Sequence, residues 1–273
     1  TGDKDGKIEL RSKEDVERIT KELEGCRYEV LGIKRGERRK KPPLPFTTST
    51  LQQEASKKLN MSTQKTMRLA QELYEGVSLK GRGTIGLITY LRTDSTRISE
   101  EADAACREYI RTRYGEDFVG NGTARKTGAG KIQDAHEAIR PTDSSLSPSD
   151  LKEELSRDLY RLYNLIWTRF IASRMSEAVY ETVSVKIGAG DYRFSVSGAR
   201  IKFDGFMTVY HYDDEKSTLD TALKKISEDS ELTLKELKPQ QHFTQPPGHF
   251  TEASLVKTLE ELGIGRPSTY SPT

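Results

Sequence analysis

Val183-Ser184-Val185-Lys186-Ile187-Gly188-Ala189-Gly190-Asp191-Tyr192-Arg193-Phe194-Ser195-Val196 is the stretch on which the fold turns. Apolar side chains recur at every second position on both sides of a Gly-Ala-Gly-Asp turn, the pattern of a two-stranded hairpin with one covered face. Upstream, from Thr50 to about Tyr180, the period is that of helices. Leu51, Ala55 and Leu59 make one stripe. Ser62 or Thr63 caps a second helix, in which Thr66, Leu69, Ala70 and Leu73 recur. Ser99, followed by Glu100 and Glu101, opens a third. Ser147-Pro148-Ser149 is read as the start of a long helix whose stripe runs from Leu151 through Leu162, Tyr163 and Trp167 to Phe170, a core pattern.

Further out, strand signals return. Arg27 to Ile33 alternates, after a helix that Ser12 caps at Asp15. Asp5-Gly6 marks a turn near the start. Phe203 to Tyr212 and Leu232, Leu234 and Leu237 read as more strand, and Thr251 to Leu262 as a helix stopped by Gly263 and Gly265. A β-type, helical, β-type order predicts an α+β fold in which a sheet domain is interrupted by a helical insertion. Pro42, Pro43 and Pro45 stiffen the first crossing between them.

The 273 residues are 34% hydrophobic and 32% charged, a foldable, polar composition, and a net charge of +2 selects no partner class. Lys34, Arg35, Arg38, Arg39, Lys40 and Lys41 crowd one stretch, read as a solvated loop with phosphate contact as the second possibility. Two cysteines, Cys26 and Cys106, form neither a disulfide framework nor a zinc set, which points to a reduced compartment. No apolar run approaches the roughly 20 residues a membrane span needs.

Three segments carry chemistry. In Gly86-Leu87-Ile88-Thr89-Tyr90-Leu91-Arg92-Thr93-Asp94-Ser95-Thr96, an expected strand, Tyr90 and Arg92 would point the same way and could face one phosphate. A phenol with a pKa of about 10 attacks a phosphodiester only if its proton is removed or screened. A guanidinium beside it favours the phenolate and clamps phosphate oxygens. A structural Tyr with a salt-bridged Arg fits the same residues. In Asp134-Ala135-His136-Glu137-Ala138-Ile139-Arg140-Pro141-Thr142, His136 could donate to a phosphate or be structural, and metal-ligand spacing is missing. Gly263-Ile264-Gly265-Arg266-Pro267-Ser268-Thr269-Tyr270 is a candidate phosphate cradle beside a helix.

These segments, with Pro45-Phe46-Thr47-Thr48-Ser49-Thr50-Leu51-Gln52-Gln53-Glu54-Ala55 and Phe250-Thr251-Glu252-Ala253-Ser254-Leu255-Val256-Lys257, resemble in order the bacterial type IA DNA topoisomerases, topoisomerase I in particular. The resemblance covers nearly the whole chain. It implies that Tyr90 attacks single-stranded DNA to form a 5′-phosphotyrosyl bond, that Arg92 stabilises the phosphate and that His136 helps organise cleavage. Arg266, Ser268 and Thr269 match residues along the single-strand groove. The implied activity is ATP-independent relaxation of negatively supercoiled DNA by a cytoplasmic, nucleoid-associated monomer with no membrane partner.

The family's Mg²⁺ ligands lie in a Toprim domain that has no counterpart here; Asp3-Lys4-Asp5-Gly6-Lys7 carries Lys7 where the third acid would stand. No metal is expected on this chain. With no initiating Met and an end at Ser271-Pro272-Thr273, it reads as a central fragment, inactive alone in relaxation and with Tyr90 facing solvent. The implied layout is a β-rich arch (1–41 and 177–245), an all-helical insertion carrying Tyr90 (42–176) and a stub of the strand-binding base domain (246–273). Two other readings remain: a non-catalytic single-strand-binding scaffold, and the equivalent part of topoisomerase III or reverse gyrase. Val77 to Arg82, read as an insertion, and the match around His136 favour topoisomerase I.

Overall fold

The computed structural model describes residue 10 and residues 12–120, 136–211, 223 and 225–272. In chain order the elements are α1 (Lys13–Glu24), β1 (Tyr28–Lys40), α2 (Thr48–Leu59), α3 (Thr63–Glu75), β2 (Val77–Leu79) and β3 (Gly83–Ile85). They continue with α4 (Glu100–Tyr114), α5 (Arg157–Arg174), β4 (Ala178–Ala189), β5 (Tyr192–Phe203) and α6 (Glu252–Glu261). The fold is α+β, and the chain divides into two compact units. One holds the described residues of Thr1–Arg38, Val179–Lys202 and Asp214–Pro247; the other holds those of Arg39–Ala178, Phe203–Asp213 and Gly248–Thr273.

The first unit is built on a three-stranded sheet in the order β1-β4-β5. Its hairpin closes over Gly190-Asp191, with Gly190 at a φ of +56° that favours glycine. Cross-strand contacts pair Ser184 with Ser197 and Glu181 with Arg200, as an antiparallel register requires. Val183 and Val185 form the buried heart, against Val30, Ile33, Ile187, Leu223 and Ile226. The basic run is strand rather than loop: β1 continues through it to Lys40. Pairing with β4 holds the backbone extended while two of the charges find partners, Arg38 over the Tyr180 ring and Arg35 donating to the Ile226 carbonyl at 3.0 Å.

Strand signals failed further on. Gly205–Thr208 is a 3₁₀ turn, and Leu232 keeps only an isolated bridge to Tyr28. At Gly205, φ is +51° and a Cβ would come within 2.5 Å of the Glu177 carbonyl, so the chain must turn there.

The second unit is helical but not all-helical as expected, because β2 and β3 form a small antiparallel hairpin across the Val77 to Arg82 stretch. Ser12, Ser62 and Ser99 each accept the backbone N–H three residues on, as N-caps. The expected long helix is in two pieces. Ser147 and Asp150 close a short 3₁₀ turn, and α5 starts afresh from its own cap, Ser156. The core gathers Phe46, Leu51, Leu73, Ile110, Tyr163 and Phe170, none more than 1% exposed. The Tyr163 hydroxyl and Trp167 indole N–H donate to the carbonyls of Leu146 and Ser144, so neither polar atom is stranded.

Candidate active site

Between β3 and α4 the chain is extended without being a regular strand, because its hydrogen bonds go to distant segments. Gly86 comes so close to the end of α3 that a Cβ would lie 2.6 Å from the Tyr74 carbonyl, and Leu87 N–H donates to Leu73 at 2.7 Å. Ile88 then bridges Pro141. Thr89 N–H donates to the Arg140 carbonyl at 2.9 Å; its hydroxyl donates to Ala138 at 2.7 Å and accepts from Arg140 N–H at 3.0 Å. On the other side, Thr48 in the first turn of α2 donates from its hydroxyl to Leu91 and accepts Thr93 N–H, at 2.7 and 2.9 Å. Ile139 N–H reaches the carbonyl of fully buried Phe46 at 2.8 Å. Two threonines thus stitch residues 46–48, 87–93 and 138–142 into one block.

The block presents Tyr90 and Arg92 outward. Leu91, Thr93 and Ser95 are buried, whereas Arg92 and Asp94 are exposed, so the alternation expected of a strand survives without the ladder. Tyr90 is half-buried rather than freely solvent-facing. Its ring lies 5.1 Å from the His136 ring and 5.5 Å, edge-on, from Tyr74 of α3. Its hydroxyl has no hydrogen-bond partner among the described residues. Arg140 does not face outward in the same way: it pairs with Glu137 at 2.8 Å and braces the turn after His136.

The C-terminal loop reaches this region because α6 docks on α2 and α3. Ser49 donates to Glu260 at 2.7 Å, and Glu252 accepts Thr63 N–H at 2.6 Å, a carboxylate at the positive end of α3. Gly263 and Gly265, at φ +68° and +84°, end α6 and turn the chain. The Thr269 hydroxyl accepts Arg266 N–H at 2.8 Å, so it shapes the turn. Burial first, then Glu260 and Asp94, push the Tyr270 phenol upward, against the opposing Arg266. Ser268 and Pro267 line a cleft of about 460 Å³ with Arg92 and with Gln64, Arg68 and Gln71 of α3.

Two comparisons bear on this arrangement. The family described as DNA topoisomerase matches residues 2–273. The chain belongs to the bacterial type IA DNA topoisomerase family. A crystal structure of full-length topoisomerase I from Thermotoga maritima is similar at 38% sequence identity and a TM-score of 0.79, covering 97% of this chain and 42% of that one. The chain therefore spans less than half the length of that topoisomerase.

Of the six site candidates, the structure sets Tyr90 beside His136, and Arg92 in one cleft with Ser268. Arg266 and Thr269 stand on the same loop but do not line that cleft. The polar face of α3, with Arg68 and Tyr74, was missed by sequence reasoning; a helical Gln64/Arg68/Gln71/Glu75 spacing reads as a solvated face. Thr48 and Thr89 were missed because their partners lie more than 40 residues away. Among the described residues no three His, Cys, Asp or Glu side chains gather as a metal site would require. Nor is any described helix long and apolar enough to cross a membrane.

Proposed function

We propose that this chain supplies the nucleophile and part of the strand-binding surface of a type IA topoisomerase acting on single-stranded segments of negatively supercoiled DNA. The Tyr90 hydroxyl gives up its proton to solvent as its oxygen attacks phosphorus; the bond to the 3′-oxygen breaks, and that oxygen leaves with its electron pair and takes up a proton from solvent as a 3′-hydroxyl. The strand stays joined to Tyr90 through its 5′-phosphate. After another strand has passed, the 3′-hydroxyl attacks the phosphotyrosyl bond and restores both Tyr90 and the DNA. The ester conserves the bond energy, so no ATP is consumed.

The observation that carries this reading is the grouping of Tyr90 with His136, two residues before an outward Arg92 that has no ion-pair partner among the described residues. A guanidinium aimed at the phosphate meets charge that grows as the phenol attacks, the kind of fixed electrostatic aid that lowers such barriers most. His136, its ring centre 5.1 Å from that of Tyr90, would donate to a phosphate oxygen or hold the Tyr90 ring. Arg266, Ser268 and Thr269 bind the strand through its backbone, which tolerates any sequence. Residues 1–41 and 177–245 form the arch, 42–176 the helical domain and 246–273 the start of the base domain. The contact of α6 with α2 and α3 then joins base to helical domain.

Mg²⁺, when bound, would supply charge neutralisation at the phosphate; in our reading its acidic ligands belong to a Toprim domain outside this chain. The chain alone should not relax a supercoiled plasmid, since losing a general acid–base group alone costs about 10²–10⁴-fold. Agarose-gel analysis of plasmid incubated with the purified chain checks this, and a ladder of relaxed topoisomers would refute it.

A further inference from the structure

We infer that the cleft between α3 and residues 267–272 holds a nucleotide of the single strand, with Arg68 as a second phosphate-binding guanidinium beside Arg92. Gln64, Arg68, Gln71 and Glu75 recur at helical spacing and share one face of α3, and all four line the cleft. Arg68 and Arg92 are both exposed, and neither has an ion-pair partner among the described residues, so both are available to an anion. The one carboxylate in the lining, Glu75, accepts a hydrogen bond from Gln71 at 2.6 Å at the far end of the helix. Two cations against one anion leave the cleft favouring phosphate. Ser268 and Gln64 add neutral hydrogen-bonding groups, while Met67 and Pro267 offer apolar surface for a base.

A volume of about 460 Å³ falls within the ordinary range for small-molecule sites of about 300–1,000 Å³, which suits one nucleotide rather than a duplex. The same helix carries Tyr74 against Tyr90, and six residues at 1.5 Å each separate Arg68 from Tyr74 by about 9 Å along the axis. Arg68 would therefore take a phosphate flanking the one Tyr90 attacks. This deepens the topoisomerase reading and rests on it.

The test is fluorescence anisotropy with a labelled, mixed-sequence single-stranded DNA oligonucleotide, titrated with the 273-residue chain over a series of salt concentrations. Arg68→Ala should weaken binding about five- to tenfold at low salt and lower the salt slope by about one ion. Arg68→Lys should keep most of the slope. Arg113→Ala, a charge-matched change on the exposed face of α4, should do neither. Circular dichroism checks that each variant is folded. If Arg92→Ala weakens binding while Arg68→Ala behaves like Arg113→Ala, the assignment of Arg68 is wrong and the strand-binding reading stands. If the unaltered chain does not bind the oligonucleotide at all, the strand-binding reading fails and the assignment falls with it.

Discussion

The sheet unit and the helical unit are packed to different standards. In the first, Val183 and Val185 form the buried cluster described between the strands, joined by buried Tyr180 and Ala189, while Phe194 and Val196 on β5 are each 39% exposed and Leu31 on β1 is 44% exposed. In the second, Phe46, Leu51, Leu73, Ile110, Tyr163 and Phe170 are sealed from water. The candidate site sits wholly on the sealed unit. A nucleophile in the proposed role would need a backbone held to about 0.5 Å, and the residues that hold Tyr90 (Gly86, Thr48, Thr89) are pinned to that core. Sheet strands with one face open tolerate deformation at little cost, and nothing in the proposed chemistry asks them for precision.

The contrast can be attacked first through the cores. Phe170→Ala should cost about 3–5 kcal/mol, read by urea unfolding with Trp167 fluorescence, because a sealed aromatic leaves a cavity that cannot collapse. Val185→Ala should cost only about 2 kcal/mol, read from hydrogen exchange along β4, since fewer methyl groups are lost and the neighbours are part-exposed. Equal costs would erase the distinction between the units.

Gly86→Ala probes the join between α3 and the Tyr90 segment. Its Cβ would meet a backbone carbonyl, which cannot rotate away, so a loss of about 1–3 kcal/mol is expected together with a displaced Tyr90. Nuclear magnetic resonance shifts of the Tyr90 and His136 rings would report that displacement, and unchanged shifts would free Tyr90 from this support.

The smallest effect expected is at Asp103. Burial alone would raise its carboxyl, but hydrogen bonds from Arg107 and Arg174, at 2.6 and 3.0 Å, outweigh burial and hold it below the usual carboxylate range. A depressed folded value means the stabilisation is present above the unfolded carboxylate pKa of about 3.9 and is lost as pH falls through the folded value. Asp103→Asn should therefore flatten the acid limb of the stability profile and leave its slope above pH 5 unchanged, as thermal melts across pH would show.

The parts of the fold written in local chemistry were legible from the sequence. The 183–196 hairpin announced itself by a period of two and a glycine turn, and Ser12, Ser62 and Ser99 by the orphan N–H groups that a helix start must satisfy. Other parts competed with a stronger local signal. Ser147-Pro148 looks a better helix start than Ser156, yet its cap closes only one 3₁₀ turn. The charges of residues 34–40 imitate a loop, although pairing with β4 keeps them extended. The Tyr90 segment looked like a strand because its side chains alternate, but its hydrogen bonds are spent on threonines and carbonyls far along the chain.

The site was legible by a different route. No periodicity links Tyr90 to His136, 46 residues apart, and composition left both open to plain structural roles. It was the resemblance of several segments in order that paired them. The polar face of α3 carried no such signal, because a helical run of Gln, Arg and Glu has the same spacing whether it faces water or a strand of DNA.

The most direct test of the central claim is to trap the covalent intermediate. A labelled single-stranded oligonucleotide would be incubated with the chain and Mg²⁺, with and without a separately expressed Toprim-containing fragment, and then denatured. The account predicts a protein–DNA adduct that needs the added fragment, carries the label on the 5′-phosphate side of the break and disappears in Tyr90→Phe. An adduct that persists in Tyr90→Phe would contradict the assignment of the nucleophile.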